Sequence, residues 1–284
     1  MTEGRQRVTL RTLFSKMQDN APITMLTCYD YPTACFMEQA GVDMLLVGDS
    51  LGMTVLGYDS TLPVTMDIMI PHAQAVRRGS PNAWLIGDMP YMTYQPSAET
   101  AIRNAGRFMA EAACDAIKLE GGAEVADRVQ NVVKMGIPVM GHLGLTPQSA
   151  SALGGFRVQG RSASQARKIV DDAVALQDAG VFAILLEMVP DRVCQLISQR
   201  ATVPIISLGS GPHAHGQLLI FHDMFGLYPK FTPKMARVYG NAGQVIVDGL
   251  KQYVRDVTTR DFPQRENWFT MSDEAFAELN KLLE

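Results

Sequence analysis

The sequence is poor in cysteine and contains no Cys-x-x-Cys pair. Four cysteines occur among its 284 residues, at positions 28, 35, 114 and 194. A chain of this length can build a large apolar core and does not need disulfide bonds to stabilise it. We therefore expect reduced thiols and a cytoplasmic protein.

The chain also lacks an excess of charge of one sign. It has 25 Lys and Arg residues against 29 Asp and Glu residues, a formal net charge of −4. Because nucleic-acid phosphates demand clustered basic residues, this balance argues against nucleic acid as a partner. No apolar run reaches membrane-spanning length, and the first residues carry no apolar signal segment, so we expect no membrane association.

Short apolar runs alternate along the chain with amphipathic helical stretches. Near-continuous apolar strands separated by such helices are typical of a parallel sheet covered by helices. The predicted strands span 24–30, 44–50, 84–90, 116–122, 138–144, 182–189 and 204–211, with a weaker eighth strand at 217–223. The predicted helices between them span 31–40, 67–79, 97–112, 123–135, 164–179 and 191–200.

Seven or eight such units favour a closed (β/α)₈ barrel over an open, doubly wound sheet. No Gly-x-Gly-x-x-Gly motif follows an early strand, which removes the usual nucleotide-binding reason for the open sheet. No shift in composition divides the chain. We therefore predict one barrel domain over 1–284, with helical extensions at both ends. The tail after about residue 224 is predicted to form helices that pack outside the barrel or against a partner subunit.

Polar residues stand at the ends of several predicted strands, where the active sites of barrel enzymes lie. Any one of these residues could be the N-cap of the next helix. Several carboxylates meeting at one rim would repel each other, however, unless a cation lay among them. The strand-end residues are Asp49, Ser50, Asp88, Lys118, Glu120, His142 and Glu187.

A divalent metal is the expected cation. Asp49, Asp88 and Glu120 offer hard oxygen ligands from neighbouring strands, which suits Mg²⁺, with other divalent metals as alternatives. Zinc is disfavoured because the cluster contains no cysteine. Lys118 lies two positions before Glu120 and so faces the same side of the strand, where it could balance the carboxylates or bind an anionic substrate. A purely structural ion pair is the alternative.

Glu187 and His142 are the candidates for proton transfer and substrate contact. Glu187 is surrounded in sequence by apolar residues, and such an environment raises the pKa of a carboxyl group and makes it a better base near neutrality. His142 is predicted to hydrogen-bond the substrate, and a structural role is an equal alternative.

The motifs around these residues resemble those of the ketopantoate hydroxymethyltransferase family. The blocks that carry the resemblance are VGDSLGMTVLGYDSTLPVT at 47–65, AVRRGSP at 75–81, KLEGG at 118–122, GHLGLTPQS at 141–149 and GGFRVQGR at 154–161. The similarity runs from about residue 27 to 231. It implies a barrel of the phosphoenolpyruvate-mutase and isocitrate-lyase superfamily.

The resemblance also implies an activity and its site. It implies transfer of a one-carbon unit from 5,10-methylenetetrahydrofolate to 3-methyl-2-oxobutanoate, giving 2-dehydropantoate in pantothenate biosynthesis, with Mg²⁺ and a homodecameric assembly. Carried over by position, the metal ligands are Asp49, Asp88 and Glu120, and the proton acceptor is Glu187. The substrate contacts carried over are Asp49, Ser50, Asp88 and Lys118.

One loop departs from the family pattern. The usual GIGAG is here SLGSG, with Ser207 and Ser210, and the aspartate of the following DGQ is His215. These changes put the exact substrate preference in doubt and make a non-catalytic paralogue that binds a 2-oxo acid an alternative. Two enzymatic alternatives do not depend on them: a metal-independent aldolase that uses Lys118 as a Schiff-base lysine, and a metal-dependent lyase or aldolase for another 2-oxo acid.

Overall fold

Eight parallel strands form a closed barrel in the computed structural model, which describes residues 5–152 and 154–284. Each strand pairs with its neighbours in sequence, and β8 pairs with β1 to close the ring. The strands are β1 (Ile23–Thr27), β2 (Met44–Val47), β3 (Trp84–Asp88), β4 (Ala116–Glu120), β5 (Val139–Gly144), β6 (Ala183–Glu187), β7 (Ile205–Leu208) and β8 (Gly216–Leu219). The predicted (β/α)₈ barrel and its weak eighth strand are confirmed.

Helices lie between the strands and in the extensions at the two ends of the chain. They are α1 (Leu10–Gln18), α2 (Tyr31–Ala40), α3 (Leu51–Thr54), α4 (Met66–Gly79), α5 (Ala98–Ala112), α6 (Ala126–Lys134), α7 (Ala163–Asp178), α8 (Asp191–Ser198), α9 (Phe221–Met224), α10 (Ala242–Thr259) and α11 (Asp273–Leu283). Short 3₁₀ turns span Ala123–Val125, Pro147–Ser149 and Arg265–Asn267. Helix starts follow N-cap chemistry: the side chains of Ser97 and Ser162 accept hydrogen bonds from the first turns of α5 and α7.

All the predicted strands except the fifth were too long at their carboxyl ends, by two to four residues, and the second and the eighth are examples. The second was placed at 44–50, but β2 ends at Val47, and Ser50 already makes helical turn contacts into α3. The eighth was placed at 217–223, but β8 ends at Leu219 and α9 follows. In both cases the chain leaves the sheet where the polar residues begin, because those residues form the loops at the barrel mouth.

The barrel has two apolar layers that follow the alternation of side chains along each strand. One face of most strands packs against the surrounding helices, for example through Leu45, Ile117 and Ile184. The other fills the barrel interior, with Met25, Leu46, Ile86, Met140, Leu185 and Ile206 among its buried side chains. The N-terminal extension closes the lower end, because Val8 and Leu13 belong to the interior cluster. The packed interior leaves only the upper, C-terminal end open for a site.

The tail forms helices as predicted, but they do not pack against the barrel. No residue of α10 or α11 is buried within the single chain. Large apolar side chains of these helices are exposed: Val245, Ile246, Leu250, Tyr253, Val254, Phe276, Leu282 and Leu283. The prediction that the tail helices pack on the outside of the barrel is therefore wrong for α10 and α11. The alternative, that they pack against a partner subunit, stays a prediction.

Within the described part of the chain, every helix is too short or too polar to cross a lipid bilayer.

Candidate active site

The polar strand-end residues meet in one cavity at the upper end of the barrel. Its volume is about 430 Å³. All seven residues singled out from the sequence line it: Asp49, Ser50, Asp88, Lys118, Glu120, His142 and Glu187. The sequence therefore predicted the wall of this cavity correctly, whatever role each residue has in it.

Strand register explains why these side chains meet. Several inward-facing polar residues lie two positions after an apolar interior residue: Asp88 follows Ile86, His142 follows Met140 and Glu187 follows Leu185. Across the sheet, Asp88 is paired with Lys118 and Glu120 with His142. Adjacent strands thus place charged side chains in contact above the apolar interior.

Lys118 is the central positive charge of the site. Its Nζ lies 2.8 Å from Asp88 Oδ1 and 3.6 Å from Glu120 Oε1, and all three side chains are buried. Burial alone would lower the pKa of Lys118, but the nearby carboxylates of Asp88, Glu120 and Asp49 reverse this and raise it. Lys118 is therefore a protonated ammonium in the resting site.

Burial raises the pKa values of all three carboxyl groups, those of Asp49, Asp88 and Glu120. Burial raises the pKa of Asp49 to about 6, with a further rise from the charge of Glu120. Burial likewise raises the pKa of Asp88 and of Glu120 to about 7, against the opposing attraction of Lys118. One ammonium therefore does not fully balance three carboxylates at this depth, and the site has room for further positive charge.

Each carboxylate is fixed through one oxygen. Gln148 Nε2 donates to Asp49 Oδ2 at 3.0 Å, and the backbone N–H of Gln148 donates to Glu120 Oε2 at 3.1 Å. The backbone N–H of Asp49 donates to Asp88 Oδ2 at 3.0 Å. The other oxygens of Asp88 and Glu120 have no well-aligned hydrogen bond among the described residues. Gln148 therefore anchors two of the three carboxylates.

The amide of Gln148 has only one possible orientation. Its Oε1 accepts from Tyr94 Oη at 2.9 Å and from Gln95 Nε2 at 3.0 Å, while its Nε2 also donates to the carbonyl of Met89 at 2.9 Å. Gln148 lies within the GHLGLTPQS motif, but nothing in the sequence distinguishes it as a site residue. It lies in a loop after β5, and strand alternation gives no signal there.

His142 connects Lys118 with Glu187. Its Nδ1 lies 3.3 Å from Lys118 Nζ, and its Nε2 lies 3.2 Å from Glu187 Oε2. Burial, followed by the charge of Lys118, lowers the pKa of His142, so the ring is neutral. Because an ammonium only donates, Nδ1 must accept, and the ring proton belongs on Nε2, facing Glu187.

Glu187 is held at a tight turn after β6. Burial raises its pKa, and contact with His142 opposes this rise. The next residue, Met188, has a φ of 47°, a conformation that costs a residue with a side chain. Ser210 stabilises this turn, because its hydroxyl donates to Leu186 O at 2.8 Å and accepts from Val189 N–H at 3.0 Å.

The departures from the family motif lie behind the cavity wall. Ser207 and Ser210 are fully buried and bonded to each other, with the backbone N–H of Ser210 donating to Ser207 Oγ at 3.0 Å. His215 Nδ1 accepts from the backbone N–H of Ile205 at 3.0 Å. Among the described residues that line the cavity, this loop contributes Leu208 but none of the three changed residues.

The carboxylates fit a hard divalent cation. Asp88 Oδ1 and Glu120 Oε1 are buried and lack a well-aligned donor, and Mg²⁺ commonly uses only one or two protein carboxylates. Across residues 5–152 and 154–284, no three acidic, histidine or cysteine side chains already form a closed metal-binding group, and Lys118 contacts two of the carboxylates. The set of Asp49, Asp88 and Glu120 stays a prediction.

Comparison with known sequences identifies similar proteins along nearly the whole chain. A family model described as ketopantoate hydroxymethyltransferase matches residues 7–265. A 3-methyl-2-oxobutanoate hydroxymethyltransferase of Carboxydothermus hydrogenoformans is 49% identical, over 94% of this chain and 97% of its own. The enzyme of the same name from Moorella thermoacetica is 50% identical, over 93% of this chain and 98% of its own.

Comparison with solved structures supports the fold. A 2,3-dimethylmalate lyase, described as a PEP mutase/isocitrate lyase superfamily member, aligns with a TM-score of 0.58 and 15% identity, covering 98% of this chain and 96% of its own. A phosphonopyruvate hydrolase in complex with oxalate and Mg²⁺ aligns with a TM-score of 0.56 and 16% identity, over 97% and 96% of the two chains. At this identity the likeness concerns the fold alone.

Proposed function

Because the chain belongs to the ketopantoate hydroxymethyltransferase family, we propose that it transfers a hydroxymethyl group from 5,10-methylenetetrahydrofolate to 3-methyl-2-oxobutanoate, giving 2-dehydropantoate. As a member of this family it is a hydroxymethyltransferase. The observation that carries the proposal is the meeting of Lys118, its buried carboxylates and the His142–Glu187 pair in one cavity. We place the reaction in pantothenate biosynthesis.

The cavity suits a small branched 2-oxo acid. Lys118 offers a donor to the substrate's carboxylate and keto oxygens, while the one ring proton of His142 is directed at Glu187, and Ser50 adds a hydroxyl that Tyr29 holds at 2.8 Å. Aliphatic side chains form a complementary apolar wall for a branched alkyl group: Leu145, Leu185, Leu208, Leu218 and Ile220. A polar end and an apolar end would together orient the substrate.

Asp49, Asp88 and Glu120 would hold a divalent cation, Mg²⁺ by preference for oxygen ligands. When bound, this cation would supply a Lewis acid that draws charge from the C2 carbonyl of the substrate. Lys118 would keep the neighbouring carboxylates ionised and bind the anionic end of the substrate.

Glu187 is the proposed base. Its carboxylate would remove the proton from C3, and the neutral His142 beside it would hold the carboxylate in position through the Nε2 proton. The C3 carbanion would then form a bond to the methylene carbon of the folate donor as the bond from that carbon to one folate nitrogen breaks. Water would displace the second folate nitrogen, which supplies the hydroxyl group of the product and releases tetrahydrofolate with both nitrogens protonated.

A turnover assay tests the proposal. Purified protein with 3-methyl-2-oxobutanoate, 5,10-methylenetetrahydrofolate and Mg²⁺ should form 2-dehydropantoate, and a chelator should stop the reaction until Mg²⁺ is restored. Turnover of another 2-oxo acid in place of this substrate would favour a metal-dependent lyase or aldolase. Binding of the acid without any turnover would indicate a non-catalytic paralogue.

The Schiff-base alternative is disfavoured by electrostatics. A lysine must lose its proton to attack a carbonyl, yet the carboxylates around Lys118 raise its pKa and hold the proton on it. Borohydride should therefore not trap the substrate on Lys118, and activity should not survive chelation.

Gln148 provides a prediction about the metal site itself. Gln148→Met removes the amide that fixes Asp49, and retains the backbone N–H that fixes Glu120. Loss of such an outer contact commonly weakens metal affinity by roughly 10- to 100-fold. Titration with Mn²⁺, followed by electron paramagnetic resonance without substrate, should show this loss.

The control for this variant is Gln159→Met, whose side chain hydrogen-bonds only the carbonyl of Arg157 among the described residues. It should bind Mn²⁺ like the parent protein. Equal Mn²⁺ affinity in Gln148→Met and the parent would show that the Asp49 carboxylate needs no anchor, or that it is not a ligand.

We further propose that the protein assembles as a homodecamer. Helices α10 and α11 expose apolar side chains that a lone subunit would leave in water, among them Leu250 and Tyr253. Multi-angle light scattering should give the mass of a decamer, and Tyr253→Asp should shift it to smaller species. A monomeric parent protein would contradict the proposal.

We infer a cytoplasmic location as well. All four cysteines are free, and those at positions 28, 114 and 194 are buried. Unpaired thiols are the ordinary state in a reducing compartment, which supports this inference.

A further inference from the structure

A buried carboxylate of the cavity has no part in the chemistry described so far. Asp223 lies in α9, directly after β8, and is only 5% exposed. It lines the same cavity as Glu187 and Lys118. Burial, as the sole cause, raises its pKa to about 6. Among the described residues, no donor hydrogen-bonds its side chain and no cation pairs with it.

The Asp223 oxygens are open to the cavity and are not fully enclosed by protein atoms, so a ligand in the cavity can reach them. Lys234 lines the same cavity, but its ammonium does not lie within ion-pair distance of Asp223. The Asp223 oxygens therefore face a space that a ligand could fill with donors.

Asp223 lies on the wall of the barrel opposite Lys118. The strands follow each other in order around the ring, so β8 and β1 stand across the barrel from β4 and β5. The backbone N–H of Phe221 donates to Thr27 Oγ1 at 3.1 Å, which fixes the start of α9 to the end of β1. A ligand held by Asp223 would therefore face the 2-oxo acid held by Lys118.

The cavity is large for the 2-oxo acid alone. A volume of about 430 Å³ is in the range of pockets that take drug-sized molecules. Aromatic side chains line its outer part: Phe156 and Phe231 are 55% and 57% exposed, and Tyr228 packs against Phe231 with a ring distance of 5.5 Å. Exposed rings beside a cavity offer a surface for a flat, aromatic ligand.

We propose that Asp223 binds the pterin ring of the folate donor, accepting hydrogen bonds from its N3–H and its 2-amino group. The proposal rests on the proposed function. These two donors lie side by side on one edge of the ring and match the two oxygens of a carboxylate, in the bidentate manner of a guanidinium. The rings of Phe156, Tyr228 and Phe231 then cover the apolar faces of the donor.

The test compares two ligands and two proteins. Asp223→Asn keeps the size of the side chain but replaces one acceptor with a donor that opposes the pterin donors. Tetrahydrofolate should bind this variant roughly 10- to 100-fold more weakly than the parent, by isothermal titration calorimetry. The 2-desamino analogue of tetrahydrofolate should bind the parent weakly. Its affinity should fall little further in the variant, because the analogue already lacks the amino group that Asp223 would bind.

Two further measurements separate this proposal from the proposed function. Folate-free deuterium exchange at C3 of 3-methyl-2-oxobutanoate should be unchanged in Asp223→Asn, while the KM for the folate donor rises. Asp178→Asn, at the exposed end of α7, should match the parent in every assay. A thermal unfolding scan of each variant reports whether it is folded, and Asp223→Ser provides a second substitution without the opposing donor.

The outcomes are distinct. Unchanged tetrahydrofolate binding in both folded variants would overturn the assignment of Asp223. Loss of C3 exchange together with turnover would also overturn it, because Asp223 would then serve the 2-oxo acid. Absence of C3 exchange in the parent protein itself would instead overturn the proposed function.

Discussion

Glu187→Gln should stop deuterium exchange at C3 of 3-methyl-2-oxobutanoate, measured with Mg²⁺ and without folate. Glutamine keeps the size and the contact with His142 but cannot accept the C3 proton. Removal of a positioned general base commonly costs about 10²- to 10⁴-fold in rate. We expect a loss in this range for exchange and for turnover, with little change in the affinity for the 2-oxo acid.

The pH dependence of the same reaction gives a second readout. Burial raises the pKa of Glu187 above its ordinary value. The base is active only when deprotonated, so the exchange rate should increase with pH, with a midpoint above the usual range of a glutamate. The variant should lose this limb of the profile.

Glu99→Gln is a matched control, because Glu99 lies at the exposed start of α5 and, within the described part of the chain, pairs only with Arg103. It should exchange at the parent rate. Undiminished exchange in Glu187→Gln would show that Glu187 is not the base, and His142 would then be the candidate for that role.

Lys118→Met should have the largest effect on stability. The substitution removes the ammonium from among three buried carboxyl groups and leaves their charges uncompensated. Breaking a buried ion pair from one side commonly costs about 3–5 kcal/mol of unfolding free energy. Chemical denaturation without divalent cations should show a loss of this size.

The loss should increase with pH. Without Lys118 the pKa values of Asp49, Asp88 and Glu120 would lie above those of the parent protein, since the ammonium lowers each of them. A carboxyl group with a raised folded-state pKa is favourable while protonated, and that contribution disappears as pH rises through the folded value. The variant should therefore be closer to the parent at pH 6 than at pH 8.5.

Lys134→Met serves as the control for removal of a lysine. Lys134 is exposed in the last turn of α6, and its ammonium donates to Gln130 Oε1 at 3.0 Å. Such a surface contact contributes about 0–1 kcal/mol. A similar, small change in both variants would show that Lys118 does not hold the carboxylates together.

Strand alternation made much of the site predictable from sequence. Lys118 and Glu120 lie two positions apart on one strand, so their side chains must point to the same side of the sheet. In the structure both line the cavity. The barrel itself followed from repeated apolar runs and helices. In each case the information is local, because it depends on the period of the strand or the helix.

The parts that could not be predicted depend on contacts distant in sequence. Gln148 anchors Asp49 across 99 positions, and the path of a loop decides this, not a periodic pattern. The hydrogen bonds of Ser210 to both sides of Glu187 likewise depend on how β6 and β7 end. Asp223 falls within the predicted eighth strand, but in the structure it lies in the short helix α9. Strand alternation therefore gives no signal that it faces the cavity.

The changed loop shows how sequence departures can mislead. Ser207, Ser210 and His215 differ from the family pattern, and this raised doubt about substrate preference. In the structure their side chains hydrogen-bond backbone groups behind the cavity wall. The altered loop therefore bears on how firmly the end of β6 is held, and the composition of the cavity lining gives no reason to expect a different substrate.

The ammonium of Lys118 also has a consequence for how the protein is handled. It acts as a resident counterion, tethered to the barrel by its own strand, so the acidic wall stays assembled when no free ion is present. Exhaustive dialysis against EDTA should therefore yield a folded but inactive protein. Addition of a Mg²⁺ salt should restore its activity within the time of mixing. Loading would not have to be coupled to synthesis or folding in the cell.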